Sequence, residues 1–242
     1  DEVRDFLRWA HDDHFTFLGY RDYDYQGATT AKGTITVKPR EGLGVLRGGA
    51  DRAFSVLGGL DSMSPEVRAF VRRPDLLMIT KSSFRSTVHR PVQMDAIGVK
   101  RLDTRGRVAG QRLFVGLFTS SAYNRSPRDI PLLRQKLRQT IDRAGFPRAS
   151  HNNKALVNIL ETYPRDELFQ ASEEQLFQTG LGILNLQERQ RVALFVRPDD
   201  FERFMSCMIY VPRESYTTVL RQRMQTILEE EFAGTLNAHY IQ

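Results

Sequence analysis

A few groups of residues in this chain have the types and spacing to do chemistry. In "HDDH", His11 and His14 stand three apart with Asp12 and Asp13 between them. On a continuous helix both imidazoles would share a face and could hold zinc. No third His or Cys stands near, and the opening helix ends there, so a structural histidine favoured by the helix C-terminus is the expectation. The run "EGLGVLRGG" offers Gly42 and Gly44, but Arg47 occupies the place of the third glycine of a dinucleotide-binding turn, and no helix follows. No Walker A loop is present. The single cysteine, Cys207 in "FMSCMIYV", sits mid-strand, where alternation makes it a small buried hydrophobe rather than a nucleophile. "GLFTSSAYNRSPRD" is rich in hydroxyls without a nucleophile-elbow pattern. The run "FRSTVHRPVQMDAIGVKRLD" places Arg85, His89, Arg90, Asp95 and Lys100 among β-branched residues. It could be a general base with an anion clamp, or scaffold strand with charges on one face. His89 and Arg90 directly precede Pro91, which interrupts a strand, and this favours scaffold. No constellation amounts to a catalytic, cofactor-binding or metal site.

The elements that would position these groups change character along the chain. Val3, Phe6, Leu7 and Ala10 recur at helical spacing, and "FTFLGYRDYDY" then turns to strand-like residues. "GTITVKP" and "LGVLRGG" read as short strands. "SPEVRAFVRRP" reads as a short helix capped by Ser64, with Pro65 in its first turn and Pro74 as its stop. "LLMITKSSFRSTVHRP", "VQMDAIGVKRLD" and "RVAGQRLFVGLFTS" are strands, the last two joined as a hairpin through "DTRGR". In "MDAIGVKRL" the alternation puts Met94, Ala96, Gly98, Lys100 and Leu102 on one face, and Asp95, Ile97, Val99 and Arg101 on the other. Neither face is purely apolar, which predicts a half-covered sheet.

From Asp129 the period becomes helical. Leu133, Leu137, Ile141 and Ala144 form one stripe ending at Gly145. Ser150 caps a second helix carrying Ala155, Leu156, Ile159, Leu160 and Tyr163, stopped by Pro164. These two helices connect to a more orderly final part. "DELFQAS" is expected as a strand, and a Ser172-x-x-Gln175 capping box opens the next helix. "RVALFVRP" and "RFMSCMIYVP" are two strands turning at Asp199 and Asp200. A helix follows, burying Tyr216, Leu220, Met224, Ile227 and Phe232 and closed by Gly234, and "TLNAHYI" is the last strand. The resulting βαββαβ order is a split-βαβ, ferredoxin-like sandwich, a fold that does not by itself decide function.

The bulk composition narrows the classes. The 242 residues are 40% hydrophobic and 26% charged, an ordinary globular balance with enough length for one large or two smaller cores. No apolar run reaches the roughly 18 to 20 residues of a membrane span, and no signal peptide opens the chain. One cysteine fits a reducing, cytoplasmic setting. The net charge of +6 invites nucleic acid, but Lys and Arg are dispersed among Glu and Asp, with no run longer than Arg72-Arg73. Neither nucleic acid nor membrane is expected as a partner. The chain opens on "DEVRDFLRWA" without Met and is expected to be a piece of a longer protein.

Several long stretches carry a resemblance: "FLRWAHDDHFTFLGYRDYDY", "STVHRPVQMDAIGVKRLD", "GLFTSSAYNRSPRDIPLLRQKL", "RAGFPRASHNNKALVNILETYPRDELFQ" and "ALFVRPDDFERFMSCMIYVPRESY". Together they resemble, in order and spacing, the N-terminal non-catalytic half of the large bacterial NAD-dependent glutamate dehydrogenases. The resemblance implies an α+β chain in three parts: a PAS-associated-like antiparallel sheet domain over 1–127, a helical connector over 128–164, and an ACT-like βαββαβ domain over 165–242. It implies that the catalytic domain lies beyond Gln242 and uses NAD to convert glutamate and water to 2-oxoglutarate and ammonium, while this part binds no cofactor and regulates or assembles a homo-oligomer. ACT modules that hold an amino acid often carry an Asp- and Gly-containing loop before their first helix. Here that place is "FQASEEQ", with neither residue between Phe169 and Gln175. Backbone amides at the helix start, with Ser172, could still meet the carboxylate of a small amino-acid effector. Gln170, Ser172, His89 and Arg90 are therefore the expected effector or interface residues. The rival reading is a free-standing amino-acid sensor.

Overall fold

The computed structural model describes residues 2–26, 34–47, 64, 69–70, 73–186 and 191–241, with backbone only at 26 and over 34–41. Five strands, β1 (Phe15–Gln26), β2 (Thr34–Gly44), β3 (Leu77–Arg85), β4 (Gln93–Leu102) and β5 (Val108–Phe118), form one sheet in the order β2-β1-β5-β4-β3. Every pairing is antiparallel. The expected hairpin around "DTRGR" is present. Asp103 Oδ1 accepts from the amides of Arg105 and Arg107 at 2.8 and 2.9 Å, and Gly106 takes the left-handed φ of +75° that the turn needs. At Gly116 a side chain would put Cβ 2.0 Å from the Thr16 carbonyl oxygen, so only glycine lets β1 and β5 approach there. The short strand expected at "GTITVKP" runs on through Gly44 as one β2, whereas the strand expected at "LGVLRGG" is a turn at Val45 and Leu46, its last residues lying outside those described. Most of the expected Ser64–Pro74 helix lies outside the described residues.

The helices are α1 (Glu2–Trp9), α2 (Ser120–Asn124), α3 (Leu133–Ala144), α4 (His151–Thr162), α5 (Arg165–Gln170) and α6 (Glu173–Leu186). Gly145 closes α3 at φ +67°, and Ser150 Oγ accepts from the Asn153 amide to cap α4, both as the spacing predicts. A two-stranded antiparallel sheet, β6 (Ala193–Pro198) and β7 (Met205–Tyr210), and the helix α7 (Thr218–Glu231) complete the described chain. Two expected strands are corrected. "DELFQAS" is helix α5, and Thr235–Ile241 carries no strand. The expected βαββαβ order over 165–242 is therefore replaced, among the described residues, by α5-α6-β6-β7-α7.

The main core lies between one face of the large sheet and the helical layer. Phe6, Trp9 and Ala10 meet Phe15, Ile97 and Phe118 of the sheet, and Leu133, Leu137, Leu156, Leu160, Leu168 and Leu176 close over them. Phe118 and Phe169 stack at 4.3 Å with planes 3° apart, while Phe6 meets both edge-on and Trp9 tilts against both. A smaller core of Tyr23, Leu46, Ala96, Leu113 and Val115 fills the opposite face. β4 is thus buried on both faces from Met94 to Gly98, more fully than the mixed alternation predicted. In contrast α7 buries none of its residues. Ile227 is 52% exposed and Tyr216 36%, against the expected apolar stripe. No described helix is long and apolar enough to cross a membrane.

Phe169 joins the helical layer to the sheet through that stack, so Phe169→Ala is expected to cost about 3–5 kcal/mol of unfolding free energy. Urea unfolding followed by Trp9 emission would measure it, and an unchanged midpoint would show that the stack contributes nothing.

Candidate functional site

The polar chemistry of the molecule converges on α5. Pro164 stops α4 by fixing its own backbone and supplying no amide donor. Its carbonyl then accepts from the Leu168 amide at 3.0 Å, and Glu167 O accepts from Ala171 at 2.7 Å. Asp166 and Glu167 fall in the first turn, where carboxylates complement the helix dipole. One turn of helix also lets the neighbours Leu168 and Phe169 both enter the core, which strict alternation in a strand would forbid.

Asp166 reaches the large sheet. Lys81 Nζ stands 2.6 Å from Asp95 Oδ1 and 3.1 Å from Asp166 Oδ2, one ammonium shared by two carboxylates. Lys81 and Asp95 are register partners on β3 and β4, and Asp95 shares the parity of Ile97, which aims it into the helical layer. Tyr123 OH donates to Asp166 Oδ1 at 2.8 Å, and the Phe118 amide donates to Asp95 Oδ2 at 3.4 Å. Burial pushes the Asp95 carboxyl up to about 6, against the pull of Lys81. Burial works against the Lys81 ammonium, but the two carboxylates outweigh it and hold Lys81 protonated. Burial, then the charge of Asp95, raises the Tyr123 phenol out of the titrating range.

Glu167 reaches the small sheet. It takes both Arg197 Nε and Nη2 at 2.7 and 2.9 Å, a bidentate pair that outweighs burial and raises the guanidinium pKa. Two residues on, Asp199 accepts from Thr80 Oγ1 of β3 at 3.0 Å. Arg203 donates to Asp199 at 2.7 and 3.0 Å and to Thr80 Oγ1 at 2.8 Å. The C-terminal end of α5 is closed from α3. Lys136 Nζ donates to the carbonyls of Leu168, Phe169 and Ala171 at 3.0, 3.1 and 2.7 Å, and burial lowers its pKa to about 8.

Of the four residues expected to bind an effector or form an interface, Gln170 and Arg90 touch this network, Ser172 follows directly after α5, and His89 lies apart in an exposed turn. Gln170 Nε2 donates to Asp166 O at 3.0 Å. Arg90 donates to Phe118 O at 2.7 Å and lies 5.8 Å over the Tyr123 ring, so both touch the Tyr123–Asp166 layer. Ser172 is held in its predicted capping box, its amide donating to Gln175 Oε1 at 2.8 Å and its hydroxyl accepting from the Gln175 amide at 3.2 Å. His89 is exposed, in a turn at φ +61°. Elsewhere, Lys100 donates to Phe70 O and Arg73 O at 3.1 and 2.7 Å, with burial lowering its pKa to about 8. His11 and His14 part at a kink. His11 is exposed beside Asp12, whereas His14 is buried, stacked on Trp9 at 4.5 Å with Nδ1 2.8 Å from Trp9 O. Cys207 is only half-buried, since it shares a hairpin face with the exposed Val196, and burial raises its thiol pKa. Among the described residues no three His, Cys, Asp or Glu gather as a metal site. The sequence reading missed Lys81, Tyr123, Asp166, Glu167, Arg197 and Arg203 as a group. Their only local signal was two acids after a helix-stopping proline.

Lys81→Met would leave the buried Asp95 carboxylate without its cation, beside the half-buried Asp166, so it is expected to lose about 3–5 kcal/mol. Chemical unfolding at pH 7 would measure this, and a loss below that of an exposed Lys154→Met control would show the pairs to be inert. The pH dependence has a definite sign. Asp95 titrates near 6 when folded against an ordinary 3.8, so the folded state holds the extra proton between those values and gains stability as pH falls from 6 toward 4. Asp95→Asn is expected to remove that slope, and an unchanged slope would place the titration elsewhere.

α5 lies within one family segment, and its partner Arg197 lies in the next. The glutamate dehydrogenase helical motif 1 matches residues 130–189, which contain α3 to α6, and the glutamate dehydrogenase ACT2 domain matches 193–242, with β6, β7 and α7. The NAD-specific glutamate dehydrogenase of Halomonas elongata is 43% identical over 97% of this chain, and that of Pseudomonas aeruginosa is 39% identical over 97%. The Mycobacterium tuberculosis NAD-specific glutamate dehydrogenase is 30% identical over the same share. The chain spans only 13–14% of the length of these relatives, in their N-terminal, non-catalytic region. With both of its family segments and nearly all of its length accounted for, the chain belongs, as a segment, to the NAD-specific glutamate dehydrogenases.

Proposed function

We propose that these residues form the regulatory and assembly region of a large NAD-dependent glutamate dehydrogenase. The whole enzyme would oxidise L-glutamate with NAD and water to 2-oxoglutarate, ammonium and NADH, in the cytoplasm. The dinucleotide and the reacting groups would be supplied by residues outside this chain. One observation carries the reading: Lys81, Asp95, Asp166, Glu167, Arg197 and Lys136, the groups most perturbed or most deeply paired, are all engaged in bonds between elements. Groups committed to each other in this way hold modules in place and leave no free acid, base or nucleophile among them.

On this reading the five-stranded sheet within 1–127 is a PAS-associated-like module, and the ACT-like unit docks on it through the helical motif. Its partners are its own catalytic domain and other subunits of a homo-oligomer. Allosteric control runs through the module contacts, with Gln170, Ser172, His89 and Arg90 as interface residues and a small amino acid as the class of effector.

Thermal unfolding of the chain with NAD, NADH, glutamate and a panel of amino acids tests this. A ligand at 100 times its Kd adds about 2.7 kcal/mol, or roughly 5–11 °C for a chain of this size. NAD and NADH are expected to leave the midpoint in place, and a shift with either would overturn the non-catalytic assignment. A shift with one amino acid would identify the effector.

A further inference from the structure

The three polar joints around α5 share their members. Thr80 and Lys81 are neighbours on β3, and Asp166 and Glu167 are neighbours on α5. Arg197 and Asp199 flank Pro198 at the end of β6. Lys81 ties β3 to Asp166, Glu167 ties α5 to Arg197, and Asp199 with Arg203 ties the hairpin turn back to Thr80. The path from β3 through α5 and β6 to β3 again is closed. Thr80, Arg197 and Asp199 are 3%, 8% and 2% exposed, so the two joints that hold the hairpin are sheltered from water, while Asp166 at the third is half-buried.

The apolar hold on the hairpin is small by comparison. Phe195, Met208 and Tyr210 are only partly buried against the main core, and Phe201 meets Phe70 edge-on at 5.4 Å. The other face of the hairpin shows Leu194 and Val196 to solvent, and α7 buries nothing. An element with few buried apolar contacts opens at lower free energy than the core it sits on.

We propose that this ring is a cooperative latch that seats the β6–β7 hairpin on the sheet edge, with α5 as its common arm, so that its joints close or release together. Because every joint positions the partners of the next, loss of one misplaces the rest, and the hairpin with α7 then swings away as a unit. The inference rests on the regulatory reading and names its mechanical element. Glu167, Arg197, Asp199, Arg203 and Thr80 are positioning residues in it.

The chain holds one tryptophan and one cysteine, Trp9 in the core and Cys207 on the hairpin. Energy transfer from Trp9 to an acceptor on Cys207 therefore reads hairpin position without an introduced site. In the 242-residue chain, Arg197→Met and Arg203→Met are each expected to lower transfer and broaden its distance distribution. Each should raise the open-to-seated ratio on the order of 100-fold. The double variant should add less than about threefold, since independent sites would multiply their effects. Unchanged far-ultraviolet dichroism keeps global unfolding out of the readout. If Arg197→Met does not fold, Thr80→Val, which removes one hydroxyl, takes its place with the same expected direction. Unchanged transfer in the single variants, or effects that multiply in the double, would overturn the latch. Either result leaves the regulatory assignment standing, because that assignment fails on nucleotide binding instead.

Discussion

One buried ammonium between two carboxylates sets the terms for the rest of the molecule. Lys81 cannot face the helical layer alone, because an unpaired charge there would cost more than the layer's packing returns. Asp95 from the adjacent strand meets that demand within the sheet, and Asp166 meets it from outside. The helix bearing Asp166 must therefore start just after Pro164 and lie against β3. Its next residue, Glu167, then faces β6, and the two after that seal the aromatic stack of Phe6, Trp9 and Phe118. Sheet, helical motif and ACT2 hairpin are oriented relative to one another by six consecutive residues.

This arrangement separates two kinds of stability. The helical layer and the large sheet are joined by deep apolar burial, which is non-directional and tolerates small displacements. The hairpin is joined mainly by directional, charge-assisted bonds, which define one geometry and lose much of their value once it is left. A region that must transmit a positional signal gains from such a boundary. Its rigid part stays folded while its attached part keeps two distinguishable states.

Much of the architecture was legible from residue order. The β4–β5 hairpin, the caps at Gly145 and Ser150 and the Ser172–Gln175 box follow from local chemistry, and each is present. What failed was decided over long range. "DELFQAS" looked like a strand because Leu168 and Phe169 carry no clear period of their own, and their helical state is chosen by a core built from residues far away. Thr80 and Asp199 lie 119 residues apart, so nothing near either predicts the bond. The α7 stripe was read as buried because amphipathic spacing records a face, not its occupant. Arg90 and Gln170, expected as effector or interface residues, both lie against the Tyr123–Asp166 contact, which was invisible in sequence.

The strand order has a consequence for how the molecule is made. β1, near the start of the chain, lies between β2 and β5, and Phe15 pairs with Phe118. During synthesis the aromatic strand "FTFLGYRDYDY" leaves the ribosome about a hundred residues before its inner neighbour exists. At roughly 5–20 residues per second it waits several seconds with one ladder of amides and carbonyls unsatisfied. The charges of Arg21, Asp22 and Asp24 on that strand disfavour pairing with a sister nascent chain in the interval. In the finished fold Arg21 and Asp22 are buried, Arg21 donating to the Leu46 carbonyl and Asp22 meeting Arg101, so charges that the closed sheet has to pair also serve the strand while it waits.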